Sequence, residues 1–242
     1  MPIMRINSLR IMPRKINICI FTAMGLAKEI WNLLHKEVIL ELRMGYALGG
    51  ILLYVLSTVF IVFSSFVQLP SQTWNILFWI VLLFASVSAI TKSFVQESGT
   101  RALYYYTLVN PIAALVAKIV YNILFLLFVS VLIWGFMSFF AGNPVREPGI
   151  FLLAMFLGST GLSIALTFIS AISGKAGNNA TLLAILSFPL VIPLVMTLVK
   201  ISAVALRLLN DTSWGKDVLT LGAIDLLLLG MGLILFPFLW KE

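Results

Sequence analysis

The chain has 242 residues, of which 61% are hydrophobic and only 10% charged. A soluble domain is nearer half apolar and roughly a quarter charged. The excess apolar surface, with a mean hydropathy of +1.09, needs lipid as its solvent, so this is a polytopic membrane protein. The net charge of +7 fits the lysine and arginine bias of cytoplasmic loops, and a nucleic-acid partner is set aside. The single cysteine, Cys19, leaves no intrachain disulfide and no CxxC motif, and the single histidine, His35, argues against a self-contained histidine metal site.

Residues Met1–Met24 are basic at Arg5, Arg10, Arg14 and Lys15, and an apolar run, Ile16–Ala27, overlaps their end. That run is too short to span and resembles the core of a signal peptide. Residues 1–23 are read as a disordered tail upstream of a start near Met24, with a cleaved signal as the alternative. Residues 24–242 then form one membrane domain.

Ala27–Arg43 places Ile30, Leu34, Val38 and Leu42 at helical spacing, with Lys28, Asn32, His35 and Lys36 on the other side. This predicts an amphipathic helix in the membrane interface, with Trp31 at headgroup level. Two readings stand: a plain membrane-entry helix, or one that also touches a soluble partner through Glu37 or Glu41.

Six apolar blocks follow, each near the ~20 residues that cross a bilayer. They lie at about Tyr46–Val67, Trp74–Ile90, Ile112–Ala141, Ile150–Ser173, Thr181–Val199 and Val218–Trp240. Tight turns at Gln68–Thr73 and Gly142–Gly149 make antiparallel hairpins of blocks one and two and of three and four. With the N-terminus inside, most lysines and arginines fall on the cytoplasmic side, which leaves Arg146, Lys200, Arg207 and Lys216 outside. Both termini are then cytoplasmic, and Lys118, near the inner end of block three, snorkels to that side.

The largest cytoplasmic loop, Thr91–Pro111, carries Lys92, Glu97 and Arg101, which are too charged for hydrocarbon. It is also too rich in aromatics and helix formers for a slack linker. It reads as a short helix at the membrane surface, presented to a soluble partner. In block four, Ala154, Gly158, Gly161 and Ala165 form a small-residue stripe that suits an internal packing seam, with a dimer contact as the alternative. Pro189 and Pro193 in block five each remove a backbone donor and are expected to kink or break the helix. Asp225 in block six is an intramembrane carboxylate and a functional candidate, unless it pairs with a nearby tyrosine or amide or is hydrated.

Several chemistries are absent from the sequence. There is no GxxxxGK[ST] phosphate loop, no HExxH, no GxSxG and no metal-spaced His/Cys cluster. Gly174–Asn179, GKAGNN, is most simply a turn. His35 reads as a solvated side chain rather than a haem ligand, and the six tryptophans are scattered toward predicted interfaces.

Several segments together resemble a known family. They are Lys36–Arg43 with its glutamates, FVQESGT at 94–100, LYYYT at 103–107, Asn110-Pro111, Ala117-Lys118, GNP at 142–144, FLG at 156–158, LSFPLVIP at 186–193 and FPFLW at 236–240. From about Lys28 to the C-terminus the chain resembles the membrane subunit of an ABC exporter of the second permease type. More closely, it resembles haem exporter protein B (CcmB) of the cytochrome c maturation system; residues 1–23 depart from the pattern.

The resemblance implies an all-α permease of six transmembrane helices in the bacterial inner membrane, with an N-terminal interfacial helix and a cytoplasmic coupling helix between helices 2 and 3. It implies no enzyme activity in this chain. ATP binds a separate CcmA-like ATPase subunit, and a haem-handling CcmC-like protein and a small CcmD-like subunit complete the complex, with a possible second copy of this chain. Hydrolysis drives haem delivery or release of the haem-loaded periplasmic chaperone. No cofactor is expected on this chain, and haem is at most cargo. A generic exporter of lipid or small amphiphile, or a non-transporting membrane scaffold, are the alternatives.

Coupling to the ATPase is then expected through Phe94, Glu97, Ser98, Gly99, Thr100, Arg101, Tyr104 and Tyr105, with Glu37 and Glu41. Glu97 suits a basic groove, Gly99 allows close approach, and Thr100 can cap the helix through Arg101–Tyr106. One or two of the tyrosines serve as aromatic anchors, the rest as headgroup belt. Within the membrane the candidates are Asp225, Lys118, Pro189 and Pro193.

Overall fold

The computed structural model describes residues 14–44, 46–66, 69–90, 109–175, 180–209 and 214–241. Among them the secondary structure is all helical: α1 (Arg14–Met44), α2 (Tyr46–Ser65), α3 (Ser71–Ile90), α4 (Pro111–Ala141), α5 (Pro148–Lys175), α6 (Ala180–Ala205) and α7 (Trp214–Lys241). The six apolar blocks correspond to α2–α7. Five of these, α3 to α7, contain stretches long and apolar enough to cross a membrane; in α2 the apolar stretch is Gly49–Ser65. α1 begins at Arg14, so part of the segment read as a tail is helical.

The helices form around α5, every residue of which from Gly161 to Ala171 is buried. α5 touches α3, α4, α6 and α7, whereas α2 lies outside, on α3 and α4. The small-residue stripe explains why α5 is central. Ala154 and Ala165 are fully buried, Gly158 lies under the ring of Trp79 and beside Leu198, and Gly161 lies under Asp225 and Leu194. The stripe is an internal seam: its missing side chains let α3, α6 and α7 approach the backbone of α5.

Polar side chains tie the seam together. Asn122 Nδ2 on α4 donates to Thr167 Oγ1 on α5 at 2.8 Å, and Ser163 Oγ donates to the Ile119 carbonyl at 3.0 Å. Trp79 Nε1 donates to Ser202 Oγ at 2.8 Å, and Asn75 Nδ2 to the Val199 carbonyl at 2.9 Å. Interhelical bonds of this kind average about 0.6 kcal/mol in membrane proteins, so they fix register more than they add stability.

Outward, the helices present Leu53, Phe84, Phe128, Phe188, Met196 and Leu226, all exposed. Such a surface fits lipid and would be an aggregation liability in water.

One end of the bundle collects the turns between α2 and α3, α4 and α5, and α6 and α7. Backbone N–H groups of Arg146 and Glu147 both donate to the Ala205 carbonyl. Arg207, whose φ of 54° closes the turn after α6, pairs with Glu147 at 3.2 Å, and Lys200 pairs with Asp217 at 3.3 Å. The opposite end holds the last residue of α3, Ile90, and the first turn of α4. Loop 91–108 therefore leaves and rejoins the bundle at the end away from these ion pairs.

α6 runs unbroken through Pro189 and Pro193. Both prolines are exposed, and their places on the outer side of α6 keep the missing backbone bonds away from the core.

Candidate functional site

Loop 91–108 lies outside the described residues, and with it Phe94, Glu97, Ser98, Gly99, Thr100, Arg101, Tyr104 and Tyr105. The chain returns from it at the start of α4. Asn110 takes an extended conformation (φ −67°, ψ 125°) as N-cap of α4, its side chain accepts from Ile112 N at 3.0 Å, and Pro111 opens the helix. This is the usual helix-start chemistry: the cap satisfies a free amide, and proline sits where no amide bond is needed.

α1 packs lengthwise along this start. Glu29 Oε1 accepts from the Asn110 amide at 2.9 Å. One turn on, Leu33 is buried against Ala113 and Ala117, with Leu26, Ile30 and Val109 around them. A further turn on, Glu37 Oε1 lies 3.4 Å from Lys118 Nζ. Glu29, Leu33 and Glu37 recur every four residues and so occupy one helix face. Asn110 and Lys118 are also two turns apart, so the two helices run side by side in the same direction. The alanines of α4 make room for that contact.

Lys118 therefore does not snorkel to water. Its side chain is 2% exposed and Glu37 is 17% exposed, with Lys36 a further 3.8 Å from the same Glu37 oxygen. A buried ammonium needs a close carboxylate, and parallel α1 supplies one within reach. Glu37, expected at a partner surface, is directed at α4; Glu41 lies on the same helix. The opposite face of α1 carries Lys28, Trp31, Asn32 and His35, with Trp31 69% exposed.

The remaining intramembrane candidate, Asp225 on α7, is 8% exposed. Thr160 Oγ1 lies 3.4 Å from its Oδ2, and its Oδ1 has no hydrogen-bond partner. It lies well apart in sequence from Pro189 and Pro193. The candidates thus separate into an α1–α4 pair, a seam carboxyl and two lipid-facing prolines.

Between α3 and α6 runs a groove of about 400 Å³, lined by Leu83, Phe84, Phe188, Val191 and Met196 and apolar apart from Ser187. Among the described residues no group of three or more His, Cys, Asp or Glu could hold a metal ion.

The CcmB protein family model matches residues 28–239. The chain is a member of the CcmB family. The match takes in Glu29, Glu37, loop 91–108 and Lys118, and extends into α7. Membership makes this CcmB protein a multi-pass membrane component of the haem-exporter ABC system, in the cytochrome c maturation pathway, and implies partners in that complex. No curated protein and no solved structure matches the chain.

Sequence reasoning missed Glu29, Leu33, Asn122 and Thr167 as contact residues. Asn110-Pro111 was the available signal, since Asn followed by Pro before an apolar run is a helix-start signature. Nothing in sequence pairs Glu29 with a residue 81 positions away.

Proposed function

We propose that this CcmB protein is the six-span, non-catalytic permease subunit of an ATP-driven complex, and that loop 91–108 with α1 forms its cytoplasmic coupling unit. ATP is bound and hydrolysed by a CcmA-like subunit. The work goes to haem delivery or to release of the haem-loaded chaperone, together with CcmC-like and CcmD-like partners. The protein sits in the bacterial inner membrane with both termini in the cytoplasm, in keeping with the lysine and arginine distribution.

The observation that carries this reading is the packing of α1 on α4 at the point where the loop returns. A coupling segment works only if its ends are fixed, because a slack end absorbs the push. Glu29 holds the amide of Asn110, the cap of α4 just beyond the loop, and Lys118–Glu37 holds the helix behind it. α4 is 31 residues, about 46 Å at 1.5 Å per residue, against a hydrocarbon core of about 30 Å. It has the length to extend beyond the bilayer and carry a displacement inward. From α4 the movement passes to α5 through Asn122–Thr167 and Ser163–Ile119.

Glu97→Arg tests the assignment. The charge reversal is expected to weaken co-purification of the ATPase subunit about tenfold, equivalent to about 1.4 kcal/mol, and to lower ATPase stimulation by the permease. Unchanged assembly and unchanged stimulation would count against the loop as coupling element.

A further inference from the structure

The groove between α3 and α6 takes no part in the coupling described above. Its shape follows from where the two helices are joined. α3 starts and α6 ends at the end of the bundle that carries the ion pairs, so the two run antiparallel. Near that end they are held together: Asn75 Nδ2 donates to the Val199 carbonyl at 2.9 Å, and Trp79 Nε1 donates to Ser202 Oγ at 2.8 Å. Counting away from Asn75 and Val199 in that register puts Leu83 level with Val191, and Val87 level with Ser187. At those levels the space between the helices is the groove, about 400 Å³.

Its lining favours hydrocarbon. Val191 and Ser187, both buried, form the floor, and the exposed rings of Phe84 and Phe188 stand at the rim. Ser187 is the one polar residue among those that line it. Water needs two or more polar partners to settle in such a space. Apolar walls with no atoms opposite forfeit their dispersion contacts. The rim opens sideways, onto the surface that faces lipid.

The dimensions choose between occupants. Ser187 to Met196 covers about 14 Å at 1.5 Å per residue, close to half of a hydrocarbon core of about 30 Å. Leu83, Phe84 and Val87, with Ser187 to Ile192, belong to the halves of the spans Ser71–Ile90 and Ile185–Ala205 nearer loop 91–108. The groove therefore lies mainly in one leaflet. About 400 Å³ over that length leaves a mean cross-section of about 30 Å². A helix about 10 Å across needs about 80 Å². A partner helix is too wide to enter, whereas a single extended hydrocarbon chain is not.

We propose that the α3–α6 groove is a lipid site, holding one acyl chain of a membrane phospholipid from the leaflet on the side of loop 91–108, with the headgroup beyond Ser187. The chain lies between Leu83 and Val191 and acts as a wedge. It fills the space that the bonds at Asn75 and Trp79 leave open below them. Its affinity comes from dispersion contact with the floor and rim, because leaving bulk lipid for the groove brings no hydrophobic gain. The site does not rest on the identity of the ATPase or cargo, and its failure would leave the coupling assignment standing.

Photolabelling tests it, with the full chain in its complex in phosphatidylcholine bilayers. The probe is phosphatidylcholine carrying a diazirine in the middle of one acyl chain. Illumination is expected to place lipid adducts on Leu83 and Val191, as well as on the exposed Phe128 and Leu226. Val191→Trp fills the floor and should cut the adduct at Leu83 about tenfold or more, with Phe128 and Leu226 unchanged. Ile192→Trp, at the half-exposed rim, decides alone if the first variant does not fold, with the same loss expected at Leu83. Labelled Phe128 and Leu226 with an unlabelled Leu83 and Val191 would overturn the proposal, and is the result expected if a partner protein or a second copy covers the groove. Labelling at Leu83 that neither tryptophan reduces would overturn it too.

Discussion

Lys118→Met is expected to destabilise the purified protein by about 2–3 kcal/mol. Breaking a buried ion pair by removing one partner costs about 3–5 kcal/mol, because the other charge is left uncompensated. The expected loss lies at or below the lower end of that range because Glu37 keeps 17% exposure and has Lys36 at 3.8 Å. The double variant Lys118→Met/Glu37→Met removes both charges and fills the contact with apolar side chains, so most of the loss should return. Thermal or denaturant unfolding in detergent reads both, and the cycle isolates the pair's coupling. Loss of α1 packing should also show as faster proteolysis near Ala27–Arg43. Additive single effects would mean that Glu37 and Lys118 do not hold α1 on α4.

Gly158→Val is expected to cost about 3 kcal/mol or more. A Cβ at Gly158 would stand 2.6 Å from Trp79 Cζ3, 2.8 Å from Cη2 and 3.2 Å from Leu198 Cδ1. The indole cannot step aside cheaply: it is fully buried, edge-on to Phe78 at 5.1 Å, and pinned by its bond to Ser202. Overpacking alone costs about 1–3 kcal/mol, and the broken hydrogen bond adds about 1 kcal/mol. Gly135→Val is the control, because nothing lies within 4 Å of a Cβ there; its change should stay within about 0.5 kcal/mol. Equal effects at the two glycines would contradict the close approach of α3 to α5.

How much of this was legible in the sequence varies with the kind of feature. Five of the six predicted spans were, because a run of apolar residues near bilayer length has few other uses. So was the small-residue stripe of α5, whose spacing places it on one face before any partner is known. Asp225 stood out as a carboxylate in an apolar block. The lateral arrangement was not legible. α2–α7 are apolar all round, so periodicity does not say which face meets protein and which meets lipid. Trp79 over Gly158 and Asn122 on Thr167 depend on that missing information.

α1 shows the same limit from the other side. Its amphipathicity was plain, and the stripe Ile30, Leu34, Val38 was read as the interfacial face. The face that packs on α4 is led instead by Glu29, Leu33 and Glu37, two carboxylates around one leucine. Read by hydropathy, that face looks solvated. It becomes an internal contact only because an amide end and a buried lysine of α4 lie opposite, and that pairing is set by the fold.

The most direct test of the central claim is photo-crosslinking in intact cells from a benzoyl-phenylalanine introduced at Phe94, with the complete complex expressed. A coupling loop that meets the ATPase in the cytoplasm predicts an adduct with the ATP-binding subunit. An adduct with periplasmic proteins only, or none to the ATPase in a complex that still assembles, would contradict it.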